Sequence, residues 1–91
     1  MSELRSLVEN KLLNLIEELR QHMSDFSYQM AREYAQRNEA DLAMESIAYV
    51  VASLDVPWNR ESFSEMARLL DRDPDRYLTE ARDFRQGQTP L

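Results

Sequence analysis

One glycine, Gly87, and three prolines leave 91 residues little turn chemistry for hairpins, and this constrains the fold more than any other feature. Two-residue hairpins need glycine or asparagine at positive φ, and no stretch of the chain alternates apolar and polar residues for long. Apolar residues recur instead at helical spacing. Over residues 2–23 they fall at Leu4, Val8, Leu12, Leu15, Ile16, Leu19 and Met23, with Leu7 and Leu13 at the margins and polar residues opposite. The pattern predicts an all-α fold, a compact bundle of four to five helices.

A second helix is expected over about 27–37, turning Met30, Ala31 and Tyr34 to the core, with Phe26 as a staple. Asn38 reads as the N-cap of a third helix reaching Leu54, which Val56-Pro57 then stops. Asn59 or Arg60 opens a fourth, with Phe63, Met66, Ala67 and Leu70 on one face. Asp73-Pro74 has the form of an N-cap followed by proline at the first helical position. The last helix, through about Phe84, buries Tyr77, Leu78 and Ala81. Residues 1–85 form a single domain in this reading, and 86–91 a flexible tail. No internal repeat or low-complexity stretch divides the chain.

The chain has no cysteine, so neither a disulfide framework nor a thiolate metal site is available. Met1-Ser2-Glu3 lacks a basic n-region, and the longest apolar run is 47–52, so neither a secretory signal nor a membrane span is expected. A cytoplasmic protein is the simplest expectation. With 17 acids against 11 bases, the net charge of −6 argues against nucleic-acid backbone binding and favours a basic protein partner.

Enzymatic and metal chemistry find little purchase. His22, one turn after Glu18, is the only histidine; the pair supplies two metal ligands where three or four are needed. Its place at the end of a helix suits a cation facing the dipole. The chain has no glycine-rich phosphate loop and no nucleophile-elbow serine. Asp71-Arg72-Asp73-Pro74-Asp75 opens like a calcium loop, but Arg76 stands at the sixth position and Arg82 at the twelfth, where Gly and Glu are required. It reads as a capped helix junction. No catalytic residue, metal or cofactor is expected. Met23, Met30, Met44 and Met66 read as core rather than as a pliable groove, and Arg68, Arg72 and Arg76 as cations neutralised by Glu65, Asp71, Asp75 and Glu80.

Residues 38–59 stand apart. They hold Glu39, Asp41, Glu45 and Asp55 and no Lys or Arg. On the third helix Ala40, Ala43, Met44, Ile47, Val50, Val51 and Leu54 share the core stripe, leaving Asp41, Glu45 and Tyr49 outside with Leu42 beside them. Asp41 and Glu45 are a like-charged i,i+4 pair, mildly unfavourable in an isolated helix. Two readings compete. Either the acids, Leu42 and Tyr49, extended by Trp58, dock a cationic partner, or arginines from elsewhere neutralise the acids while Leu42 and Tyr49 pack beneath a neighbouring helix.

The run Met30-Ala31-Arg32-Glu33-Tyr34, then Asn38-Glu39, Leu42-Ala43-Met44-Glu45, Leu54, Val56 and Asn59, resembles the MafI-type immunity proteins of polymorphic toxin and contact-dependent inhibition systems. The similarity covers roughly residues 4–70. It departs from the family at Ala40, where an aromatic is common, and from Asp73 onward, which looks like an addition. The resemblance implies a small cytoplasmic helical protein that neutralises a cognate toxin domain, often a nuclease, by tight stoichiometric binding. The partner-binding residues expected are Glu39, Asp41, Leu42, Glu45, Tyr49, Asp55 and Trp58, against a basic toxin surface. An acidic adaptor or regulator, and a homodimer through Leu42, Tyr49 and Trp58, are the competing readings.

Overall fold

A computed structural model describes residues 3–87, with the side chains of residues 4 and 85–87 left out; Leu4, expected in the core, and residues 88–91 of the expected tail are therefore outside the described set. Five helices follow one another: α1 (Glu3–Leu19), α2 (Asp25–Gln36), α3 (Ala40–Val51), α4 (Arg60–Leu69) and α5 (Pro74–Gly87), with a 3₁₀ turn, Arg20–His22, after α1. No strand occurs among the described residues, and no helix is long and apolar enough to cross a membrane. The fold is the expected all-α bundle.

Val8, Leu12, Leu15, Ile16 and Leu19 form the buried stripe of α1, which packs against α2, α3 and α4. α3 lies at the centre, against α1, α2 and α5. Met44 and Ile47 of α3 and Phe63 and Met66 of α4 are fully buried, and Phe63 meets the Tyr77 ring edge-on at 6.0 Å, which ties α4 to α5. Alanines 31, 43, 48 and 67 are fully buried too, small enough for the helices to approach closely. Among the described residues every buried side chain is hydrophobic.

The helix boundaries follow from local chemistry. Ser24 Oγ accepts the Ser27 N–H at 3.1 Å to cap α2, and Asn59 Oδ1 accepts the Ser62 N–H at 3.1 Å to cap α4. Asn38 does not cap α3. It has φ 62° and closes α2: the Glu39 N–H returns to the Tyr34 carbonyl at 2.9 Å, the six-to-one bond of a Schellman motif. Glu39 then precedes α3 without a side-chain cap. Asp71, φ 59°, closes α4 in the same way, with the Arg72 N–H on the Ala67 carbonyl at 2.8 Å. Asp73 Oδ1 accepts the Asp75 N–H at 3.0 Å where α5 begins, so residues 71–75 are the helix junction expected of them. Asn38→Ala should cost about 1 kcal/mol in thermal denaturation and Asn38→Gly almost nothing, because only the former puts a Cβ into a left-handed turn with no side chain to bond it.

Other expectations need correction. α3 ends at Val51 rather than Leu54, since the Ser53 hydroxyl and N–H both return to the Val50 carbonyl and close its last turn. Leu54 still packs on the core. α2 is rotated from its expected face: Tyr28, Ala31 and Ala35 are buried, Met30 and Tyr34 only half-buried, and Phe26, far from acting as a staple, is 74% exposed. Tyr28 explains the rotation. Its hydroxyl donates to Glu17 of α1, and the Arg20 and Arg32 guanidiniums lie 4.4 and 5.6 Å from its ring centroid. The polar tip is thus satisfied at the α1 boundary while the ring is buried.

Candidate docking groove

α2 carries two apolar stripes, and the second, Phe26, Met30 and Tyr34, is displaced from the buried one by roughly a third of a turn. It faces a groove. α2 and α5 both pack on α3 without substantial contact with each other, so α3 forms a floor between two walls. The short turn after α2 sends α3 back along it. α5 runs parallel to α3, since Asp41 meets Tyr77 at one end and Tyr49 meets Phe84 at the other, edge-on at 5.6 Å.

The groove encloses about 490 Å³, within the range of ligand sites, roughly 300–1,000 Å³. Leu42, Glu45, Ser46 and Tyr49 supply the floor, at the i, i+3, i+4, i+7 spacing of one helix face. Tyr77, Glu80, Ala81 and Phe84 supply the α5 wall at the same spacing. Five large hydrophobic residues are exposed among those described, and three of them, Phe26, Leu42 (42%) and Phe84 (57%), are gathered here. That concentration separates the groove from ordinary scattered surface hydrophobics.

The charges have distinct partners. Asp41 accepts hydrogen bonds from the Tyr77 hydroxyl and from Arg72 Nη2, the latter at 3.2 Å. Tyr77's bond holds the Asp41 carboxyl below the usual aspartate range, against the upward push of partial desolvation, and Arg72 adds to the lowering. Burial, followed by Asp41's acceptance, raises the Tyr77 phenol above its ordinary value. Arg76 Nε pairs with Glu80 at 3.0 Å. Glu45 is exposed and forms no ion pair with a described side chain, and no described Lys or Arg lines the groove. Asp41 therefore serves as an internal latch between α3 and α5, whereas Glu45 borders the same recess of Arg72 and Arg76 without an ion pair to either.

Because Asp41 is depressed in the folded state, its stabilising contribution is complete above its unfolded pKa of about 4 and is lost as pH falls through the lower folded value. Tyr77→Phe should raise the Asp41 pKa in a carboxyl NMR titration. The wild-type advantage over the variant, about 1 kcal/mol at neutral pH, should shrink in acid. An unchanged Asp41 titration would show that the latch is not formed.

Of the expected partner-binding residues, Leu42, Glu45 and Tyr49 share the groove. Asp41 stands beside it in a smaller recess of mixed charge with Arg72, Asp73 and Arg76. Glu39 and Asp55 are exposed on the turns before and after α3, and do not line the groove. Trp58 does not extend it either: half-buried against the core, it meets Phe63 edge-on at 5.6 Å, with Arg60 5.2 Å from its ring centroid. Phe26, Met30 and Phe84 are not expected as groove residues from the sequence, and Tyr34, packed on the core as expected, also lines the groove. The signal was the double stripe of α2 and the continuation of Tyr77 and Ala81 to Phe84 one turn on. His22 is exposed on the 3₁₀ turn, and among the described residues no group of three or more His, Asp or Glu side chains is placed to hold a metal ion. Comparison with known proteins yields no family model, curated protein or solved structure that matches the chain.

Proposed function

We propose that the protein is an immunity-type inhibitor, binding one cognate toxin domain stoichiometrically and covering a basic surface on it. The observation that carries this reading is the groove between α2 and α5, where exposed aromatic and aliphatic side chains surround Glu45, which forms no ion pair with a described side chain. Aromatic anchors in a depression with a charged edge are the anatomy of a binding hot spot. The resemblance of roughly residues 4–70 to MafI-type immunity proteins supports the same reading, and the net charge of −6 suits a nuclease whose substrate cleft is cationic. Glu39 and Asp55, exposed at either end of α3, contribute to the negative field that would speed encounter.

The test is co-expression with the toxin domain encoded beside the gene. Growth should be rescued, and the two chains should copurify in equal amounts. Folded, abundant protein that neither rescues growth nor copurifies would end this reading. So would a gene with no toxin domain beside it.

A further inference from the structure

The shape of the groove narrows the chemistry of its occupant. α3 lies between α2 and α5 as floor between walls, and the space above it has the position of a missing helix of the bundle. From Leu42 to Tyr49, and from Tyr77 to Phe84, the lining spans seven residues, about 10 Å of helix axis. Side chains at i, i+4 and i+7 of a docked helix span the same distance.

An extended peptide fits worse. All three helices present backbones whose groups are already bonded within the helix, and no strand edge exists among the described residues to pair with. An extended chain laid on Phe26, Met30 and Phe84 would leave its own N–H and C=O groups unpaired over apolar surface; a helix satisfies them internally. The charge of the occupant follows from the lining. Among the described side chains its two charged ones are both acids, Glu45 and Glu80; Glu80 pairs with Arg76, while Glu45, which also borders the recess of Arg72 and Arg76, is in ion-pair contact with neither. Met30 and the aromatic rings give an adaptable apolar bed for anchors of varied shape.

We infer that this groove receives a short amphipathic helix of the partner, with apolar anchors at i, i+4 and i+7 and Lys or Arg flanking them where they meet Glu45. The inference rests on the binding function proposed above and adds the form of the bound segment.

A displayed library of single-helix peptides of about 20 residues tests it, since shorter isolated helices are marginal in water. Leu, Ile, Met or Phe would occupy i, i+4 and i+7, and the flanking positions would be randomised over Lys, Arg, Ser and Glu. Selection on the full chain should enrich Lys and Arg at the flanks. Binding should fall at least about tenfold with Leu42→Asp and with Phe26→Asp, both at exposed positions where folding tolerates the change. Glu45→Lys should reverse the flank preference, and Leu7→Asp, exposed on α1 outside the groove, should bind as wild type.

Failure to enrich any peptide, enrichment of acidic or neutral flanks, or full binding by both Leu42→Asp and Phe26→Asp would overturn the inference. A homodimer that sediments as such and dissociates on Leu42→Asp would also overturn it, by giving the groove to a second copy. Helix docking and toxin inhibition separate cleanly. Lost selection with growth protection intact removes only the helix, and groove-specific peptides with no growth protection remove only the immunity reading.

Discussion

Ile47→Asp is expected to be unfolded at room temperature, with its helical circular dichroism largely gone. Ile47 has no exposed surface and sits on α3, the helix that packs against α1, α2 and α5. Truncating such a side chain costs about 2–5 kcal/mol. The carboxylate adds the penalty of a buried charge, in a core whose buried residues among those described are all hydrophobic. A small domain has a total stability of about 5–15 kcal/mol, with 91 residues placing this one toward the lower end. The substitution is therefore expected to exceed what the fold can absorb. Ile47→Val, which keeps the packing, should cost only about 1 kcal/mol. A helical Ile47→Asp with a cooperative melt near that of wild type would show that α3 turns another face to the core.

The second large effect is expected on the toxin binding proposed above, through Glu45 and Tyr49. Glu45→Ala should slow association and weaken its dependence on salt, with helix content unchanged. Glu45→Lys should be worse, weakening affinity by tenfold or more, on the order of 1.4 kcal/mol, because it sets a cation against a basic surface. Tyr49→Ala should act mainly on dissociation and cost about 2 kcal/mol or more, as loss of an aromatic anchor does. Tyr49 also braces Phe84 edge-on, so the variant's melting temperature must be measured beside its affinity. Asp41→Ala belongs to a different class. Its carboxylate is engaged by Tyr77 and Arg72, so its main effect should be on stability, through release of α5 from α3. Stopped-flow association with the toxin domain distinguishes the two acids. Equal effects of Asp41→Ala and Glu45→Ala on the association rate would contradict the division of roles between them. A folded Glu45→Lys with wild-type affinity would place the contact surface elsewhere.

These roles divide according to how far along the chain each cause acts. Period 3.6 along α1 and α3, together with one glycine, determines helices and the inner face of each, so Leu12, Leu15, Ile16, Met44 and Ile47 were legible as core without coordinates. The helix start at Asn59 and the Asp73-Pro74 junction were legible too, because a capping bond joins residues only two or three apart. Asn38 was misread for an equally local reason: an asparagine between two helices serves either as the N-cap of the second or as the left-handed closure of the first. The bond from Glu39 to the Tyr34 carbonyl decides for the latter.

α2 shows where local reasoning stops. Its sequence holds two apolar stripes, Tyr28–Ala31–Ala35 and Phe26–Met30–Tyr34, and hydrophobicity alone ranks the second higher. The first is buried because Glu17 of α1 stands where the Tyr28 hydroxyl needs an acceptor, a fact of helix packing rather than of either segment. The absence of bases from residues 38–59 resolves in the same way. Asp41 has its cation in Arg72, 31 positions further along the chain and adjacent only after α5 has packed on α3. Glu45, one turn from Asp41, receives none from the described side chains and faces the groove beside Leu42 and Tyr49. Sequence by itself determined that the chain is helical and where its acids stand, because backbone propensity and charge are properties of single residues and near neighbours. Which acid is paired internally and which pairs with no described side chain was decided only by tertiary structure, because a cation many residues away neutralises a carboxylate only when packing brings the two within a few ångströms.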